Sequence, residues 1–212
     1  MKTETVVTSG FQENCYIIWD EATMAGMIID PGADGDRIVS VLEKHHITPI
    51  GIYNTHGHFD HIGAVSELKR QLNIPFALHS GDKQLVAEAD SQGGMFGLHL
   101  PMAAPEVDIW LEDGMTLTVG NETGTVIHTP GHTQGGVCFL FSKLLFTGDT
   151  LFSGSIGRSD LPGGNGRQLI ESIHKNILCL DDSISVFPGH GPATSIGREK
   201  RFNPFVNYAG SY

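Results

Sequence analysis

Thr55-His56-Gly57-His58-Phe59-Asp60-His61 sets four metal-capable side chains within six residues, directly after the apolar run Ile50-Gly51-Ile52-Tyr53. Imidazole and carboxylate suit zinc and similar first-row ions. In an extended segment residues two apart point the same way, so His56 and His58 can grip one ion together. Asp60 and His61 are neighbours and diverge, which suits a second ion better than further bonds to the first. Polar residues decorating a loop form the competing reading, and this spacing after a buried-looking strand speaks against it.

The flanks give the cluster a scaffold. Upstream, Thr3–Val7, Cys15–Trp19 and Met24–Ile29 are β-prone and separated by turn residues, a pattern that predicts an antiparallel meander. Asp30-Pro31-Gly32 ends the third strand, and Ile38, Val41, Leu42 and His45 then recur at helical spacing over Asp34–His46. Asp30 and Asp34 stand where carboxylates commonly cap a helix. Ile50–Asn54 is the strand that delivers the cluster. Val65, Leu68 and Leu72 predict a second helix, Pro75–His79 a strand, and Asp82–Asp90 another helix. The stretch 91–105, with Met95, Phe96 and His99, is the least regular and reads as a loop, substrate-facing or merely connecting.

From Asp108 the chain turns β again: Ile109–Leu111, Thr116–Val119, Thr123–His128, Val137–Phe141 and Leu144–Thr147. A helix from Arg167 carries Leu169, Ile170, Ile173 and Ile177, followed by a strand over Ser183–Phe187 and a closing helix over Thr194–Arg201. Two successive blocks of strands and helices predict a layered α/β architecture, two sheets inside and helices outside. One domain spanning 1–212 is expected, with Trp19 and Trp110 in its core.

Composition bounds the partners. A chain of 212 residues, 40% hydrophobic and 17% charged, has the balance of a globular protein with a substantial core. The net charge of −11 argues against general affinity for nucleic acid or anionic membrane. No apolar run approaches the ~18 residues of a membrane span, and Met1-Lys2-Thr3-Glu4-Thr5 does not open a signal sequence. Cys15, Cys138 and Cys179 are odd in number and far apart, which fits buried, reduced thiols in a cytoplasmic protein.

The second block adds three more ligand-type residues, each just past a strand and beside glycine: Gly131-His132-Thr133, Gly148-Asp149-Thr150 and Gly189-His190-Gly191. With HxHxDH, GHT, GD and GHG in this order, the sequence resembles the metallo-β-lactamase superfamily over nearly its whole length. The resemblance implies an αββα sandwich with two central mixed β-sheets. It also implies His56, His58 and His132 on one divalent metal ion, Asp60, His61 and His190 on a second, and Asp149 as the bridging carboxylate. Zinc is the first expectation, with iron or manganese as alternatives. In such a pair, ions about 3.5–4 Å apart share a hydroxide that acts as the nucleophile. Asp60 and Asp149 are then the catalytic carboxylates, Asp60 steering that hydroxide while it ligates.

Aspartate at 149 departs from the true β-lactamases, which typically use cysteine there, and is similar to glyoxalase II, the hydroxyacylglutathione hydrolase that cleaves thioesters such as S-D-lactoylglutathione to D-lactate and glutathione. Asp149-Thr150-Leu151-Phe152 through Gly157-Arg158-Ser159-Asp160, and the ending Glu199-Lys200-Arg201-Phe202-Asn203-Pro204-Phe205, resemble the short bacterial glyoxalase II-like proteins of the YcbL type. Three features depart from the larger glyoxalase II enzymes. The C-terminal helical domain that holds glutathione is not expected here. Their lysine-aromatic-tyrosine segment corresponds to Arg158, Ser159 and Asp160, and Gly191-Pro192 replaces a tyrosine after the last histidine. Arg158 is the candidate substrate-binding residue, since guanidinium pairs with carboxylates in bidentate fashion. The competing reading ties it to Asp160.

The alternative function comes from the persulfide dioxygenases of the same fold. They use a single iron, and their GRTDFQ segment is similar to Gly157-Arg158-Ser159-Asp160-Leu161-Pro162. Leu161-Pro162 in place of Phe-Gln tilts the reading to the hydrolase. A lactonase is a further reading, while the acidic balance speaks against a nuclease. Seven ligand positions with none replaced speak against a non-catalytic binding module.

Overall fold

Asn14–Trp19 (β2) is buried along its whole length, because Cys15, Ile17 and Trp19 face one apolar cluster and Tyr16 and Ile18 face another. That double burial marks an inner layer, and the computed structural model, describing residues 1–89, 92 and 104–207, shows why. Two six-stranded sheets stack face to face with helices outside. The first sheet runs, in chain order, through Lys2–Val7 (β1), β2, Ala25–Ile29 (β3), Thr48–Tyr53 (β4), Phe76–His79 (β5) and Ile109–Leu111 (β6). β1, β2 and β3 pair antiparallel, and the remaining pairs are parallel. Gly35–Lys44 (α1) makes the crossover from β3 to β4. Phe59–Ile62 (α2) and Val65–Leu72 (α3) make the next, and Lys83–Ala87 (α4) follows β5.

The second sheet contains Thr116–Val119 (β7), Glu122–His128 (β8), Val137–Phe141 (β9), Leu144–Gly148 (β10), Ser185–Pro188 (β13) and Thr194–Ser195 (β14). Leu151–Phe152 (β11) and Ser155–Ile156 (β12) form a small separate hairpin. Val137, Phe139 and Phe141 of β9 point between the sheets with Phe146 of β10. Cys138 and Leu145 point out against Leu169 and Ile173 of the helical stretch that begins with Gly166–Ser172 (α5). Period-two alternation therefore feeds two clusters from each central strand. This is the αββα sandwich the sequence implies.

The direction of the strands positions the site. β8 is antiparallel to β9, β9 to β10, and β10 is parallel to β13, so β8, β10 and β13 all end at one edge. Thr55, just past β4 of the first sheet, accepts from Val137 N at 2.8 Å, and Asn14 N donates to the Gly189 carbonyl at 2.7 Å. The two sheets are thus sewn together by backbone bonds at the rim where the ligand-type residues emerge.

Some expectations need correction. Trp110 is 39% exposed, because Ile109 and Leu111 take the inward positions of edge strand β6 and alternation turns Trp110 out. Cys179 is exposed beyond the end of the helical stretch, while Cys15 and Cys138 are buried. The helix from Gly166 widens into a π turn over Ile173–Ile177, and Ile170 in the turn before it is only half-buried. Thr194-Ser195 pairs with Ser185 and Val186 as a strand, so the closing helix (α6) starts at Ile196. Asp34 occupies a helix N-cap position in left-handed backbone without capping; it accepts instead from Ser9 and Arg37. Asp30 caps nothing either. Of the 91–105 stretch, Met95, Phe96 and His99 lie outside the described residues.

The Glu199–Phe205 ending has a structural use. Glu199, fully buried, accepts from Thr194 Oγ1 at 2.6 Å, Gly154 N at 2.8 Å and Asn203 Nδ2 at 2.9 Å. Asn203 also donates to the Ser155 carbonyl at 2.9 Å. The tail therefore fixes the β11–β12 hairpin, whose Phe152 and Ile156 line the cavity described next. Among the described residues no helix is long and apolar enough to cross a membrane.

Candidate metal centre

His56 and His58 sit on an extended segment leaving β4, as the spacing predicts, and His58 then starts the single turn α2 that carries Asp60 and His61. Because the backbone turns helical there, Asp60 and His61 fold back into the cluster, with Asp60 Oδ2 and His61 Nε2 4.0 Å apart. The second sheet brings His132 to the first pair: its Nε2 lies 2.9 Å from His58 Nδ1 and 3.3 Å from His56 Nε2. His190 Nε2 lies 3.3 Å from Asp60 Oδ2. Asp149 stands between these groups, with Oδ2 3.6 Å from His132 Nε2 and 3.8 Å from His190 Nε2, and Oδ1 3.5 Å from His61 Nε2. All seven residues singled out from the sequence meet at one sheet edge.

The glycines beside the ligand-type residues act differently from one another. Gly148 has φ +47°, and a Cβ there would overlap Thr55 Oγ1. Gly189 lies outside the positive-φ set and is needed for room, because a Cβ would overlap Asp149 Oδ1.

Electrostatics suits a cation. Burial and the neighbouring imidazoles hold His56 well below the ordinary histidine range, and burial brings His58 down to about 3. Both are therefore neutral and free to donate a lone pair. Burial also opposes charge on His61, but Asp149 and Asp60 outweigh it and raise its pKa. Burial would raise Asp60, yet His61 and His190 hold it below the usual carboxylate range. Ligands 2.0–2.1 Å from a tetrahedral ion stand about 3.3 Å apart, close to the spacing of the three imidazoles. His61 Nε2 and Asp149 Oδ1 are buried atoms with no hydrogen-bond partner among the described residues. Nitrogen and carboxylate donors, close spacing and orphaned polar atoms together fit divalent metal ions. Three-residue groups able to hold an ion are His56–His58–His132, Asp60–His61–His190 and, overlapping both, Asp30–His56–His61.

The residues behind the ligand-type side chains escape a sequence reading. Asp30, 2% exposed, accepts from Thr55 N at 2.7 Å and Thr55 Oγ1 at 2.6 Å, and lies 3.2 Å from His61 Nδ1. Glu13 is fully buried 4.0 Å from the same nitrogen, its pKa raised by burial. His132 Nδ1 donates to the Arg158 carbonyl at 2.6 Å, which turns Nε2 toward the cluster. Asp82 ties two ligand loops together, accepting from Gly57 N at 2.9 Å, Thr133 Oγ1 at 2.8 Å and Gly135 N at 2.6 Å. Asp82→Ala orphans all three donors and is expected to weaken metal affinity about 10–100-fold. Competition with a chromophoric chelator measures it, and unchanged affinity would refute the role.

Arg158 lies on the rim of the adjacent cavity, its guanidinium held by Asp160 through two 2.8 Å bonds, both side chains exposed. His79 and His128 stack on each other at 4.2 Å, with no share in the cluster.

Known proteins resemble this chain over nearly its full length. The chain is 38% identical over 216 residues to hydroxyacylglutathione hydrolase GloC of Haemophilus influenzae, covering 98% of this chain and 99% of that protein. Among solved structures it is similar to the B3 metallo-beta-lactamase BLEG-1, at TM-score 0.90 and 36% identity over 97% of this chain and 99% of that one. It is similar to TTHA1623 in a di-iron-bound form, at TM-score 0.86 and 38% identity over 95% and 99%. It is also similar to ETHE1 from Myxococcus xanthus, at TM-score 0.83 and 28% identity over 98% and 85%. Residues 8–190 match the metallo-beta-lactamase superfamily. The chain belongs to that superfamily.

Proposed function

We propose that this protein is a dinuclear metal-dependent hydrolase of thioesters, glyoxalase II-like, with S-D-lactoylglutathione as the first substrate to test. The observation that carries the reading is Asp149 placed between two complete three-residue groups, with likeness to GloC in support. Metals held by His56, His58, His132, Asp60, His61, His190 and Asp149 would supply a water of lowered pKa and a Lewis acid for a carbonyl oxygen. The chain's own residues do the positioning. Asp60, kept ionised, offers an acceptor that can orient an attacking water through a hydrogen bond. His61 and His132 are held in register by Asp30 and by the Arg158 carbonyl. Apolar side chains line the cavity beside the reacting centre. Among the described residues at the cavity rim, Arg158 is the one side chain with the fork geometry to recognise a carboxylate, and Asp160 already fills that fork.

Zinc, iron and manganese all accept this donor set, so the ion is part of the test. The experiment is thioester loss from S-D-lactoylglutathione by metal-quantified protein, with His190→Ala as control. Turnover at roughly two metals per chain, lost in the variant, supports the reading. A second reading, a mononuclear-iron persulfide dioxygenase, draws on the Gly157–Asp160 segment at the cavity rim and the likeness to ETHE1. Oxygen uptake on glutathione persulfide with one iron per chain, and no thioester loss, would favour it. The same assays with a lactone cover the remaining alternative.

A further inference from the structure

We infer, resting on the thioester reading above, that the substrate of this site carries an apolar arm, alkyl or aryl, and that the pocket does not select a glutathione carrier. The cavity beside the ligand cluster has a volume of about 450 Å³, within the range of small-molecule sites. Its apolar wall is formed by Phe11, Phe59, Leu85, Phe152, Ile156 and Leu161. These come from the β1–β2 loop, α2, α4, the β11–β12 hairpin and the rim after Arg158, so the wall encloses the cavity from several sides. Phe11 and Phe59 meet edge to face at 4.9 Å. Phe152 stands edge-on to His190 at 6.4 Å, which brings the apolar surface up to the ligand cluster.

The charges point the same way. Glutathione presents two carboxylates at neutral pH, and such groups need cationic or multiple hydrogen-bond partners when taken from water. Arg158 is the only lysine or arginine among the described residues that line the cavity, and both arms of its fork already hold Asp160. A substrate carboxylate that displaced Asp160 would keep that like charge as its neighbour. Glu88 adds a further acidic side chain to the lining.

Two substrate series test the inference on the metal-loaded full chain. One holds the thiol constant, using N-acetylcysteamine thioesters of acetate, butyrate, hexanoate and phenylacetate. The other holds an acetyl group constant on ethanethiol, butanethiol and hexanethiol. Each buried methylene should raise kcat/KM about twofold to fourfold, so one series should climb by ~10-fold or more over four methylenes. Whichever series climbs identifies the side of the thioester that the cavity takes. Phe11→Ala should flatten the climb, and S-acetylglutathione should turn over no faster than the N-acetylcysteamine thioester of acetate, because the pocket gains nothing from the carrier. Flat kinetics in both series overturn the inference and leave thioester hydrolysis standing. If no thioester turns over, the proposed reaction fails, and calorimetric binding of butanethiol, pentanethiol and hexanethiol decides the inference. Affinity that rises with chain length supports it, and equal affinities overturn it.

Discussion

Asp149→Asn is expected to lower thioester turnover by about a thousandfold, the several kcal/mol that metal ions contribute to a charged transition state. The substitution keeps volume but removes charge from the residue that faces His61, His132 and His190 at 3.5–3.8 Å. An amide oxygen is a weaker ligand than a carboxylate and cannot balance two dications. Retained metal, measured by elemental analysis after gel filtration, should fall below roughly two ions per chain. Far-ultraviolet dichroism should stay unchanged, because Asp149 sits at a strand end with 13% of its side chain exposed and supports no apolar cluster. A variant with full metal content and full turnover would remove Asp149 from the centre of the site.

Phe139→Ala is expected to cost about 3–5 kcal/mol of folding stability, a large share of the 5–15 kcal/mol typical of a domain. Phe139 is fully buried on β9 between the sheets, edge to face with Tyr53 at 6.4 Å. Removing the ring leaves a cavity in a layer walled by two sheets, which cannot collapse without separating their register. Urea denaturation of the metal-free protein measures the loss without the contribution of bound ions. Trp110→Ala, on the exposed side of edge strand β6, should cost far less, and equal costs would contradict the layer assignment.

The parts of this molecule that a sequence reader can see share a property: their cause is local. His56 and His58 are paired by strand alternation, and the loops at His132, Asp149 and His190 are marked by a preceding apolar run and a glycine. The order of strands and helices follows from periodicity. Asp30 looks like a helix cap because it ends a strand before Pro31-Gly32, yet a partner 25 residues away, Thr55, takes both its oxygens. Asp82 resembles an ordinary surface acid until Gly57 and Gly135 arrive from two other loops. Phe11, Leu85 and Phe152 become one wall only through tertiary folding. Trp110 misleads because side-chain size signals burial on average, whereas its face is set by the parity of an edge strand. The Arg158–Asp160 tie, two residues apart, was legible as one of two readings.

The seam between the sheets bears on the order in which the protein assembles. The groups completed by His132 and by His190 each take two members from the chain segment after β4 and one from the other sheet, whereas Asp30–His56–His61 lies wholly in the first half. Neither half of the polypeptide, folded alone, brings all seven ligand-type residues together. Filling the two groups that span the seam would thus require the halves to dock first and would lock them, like a rivet driven after two plates are aligned. During synthesis the growing chain cannot complete the Asp60–His61–His190 group until His190 has emerged. Stripping the ions should release the seam before either sheet, so amide exchange at Val137 and Asn14 should quicken first.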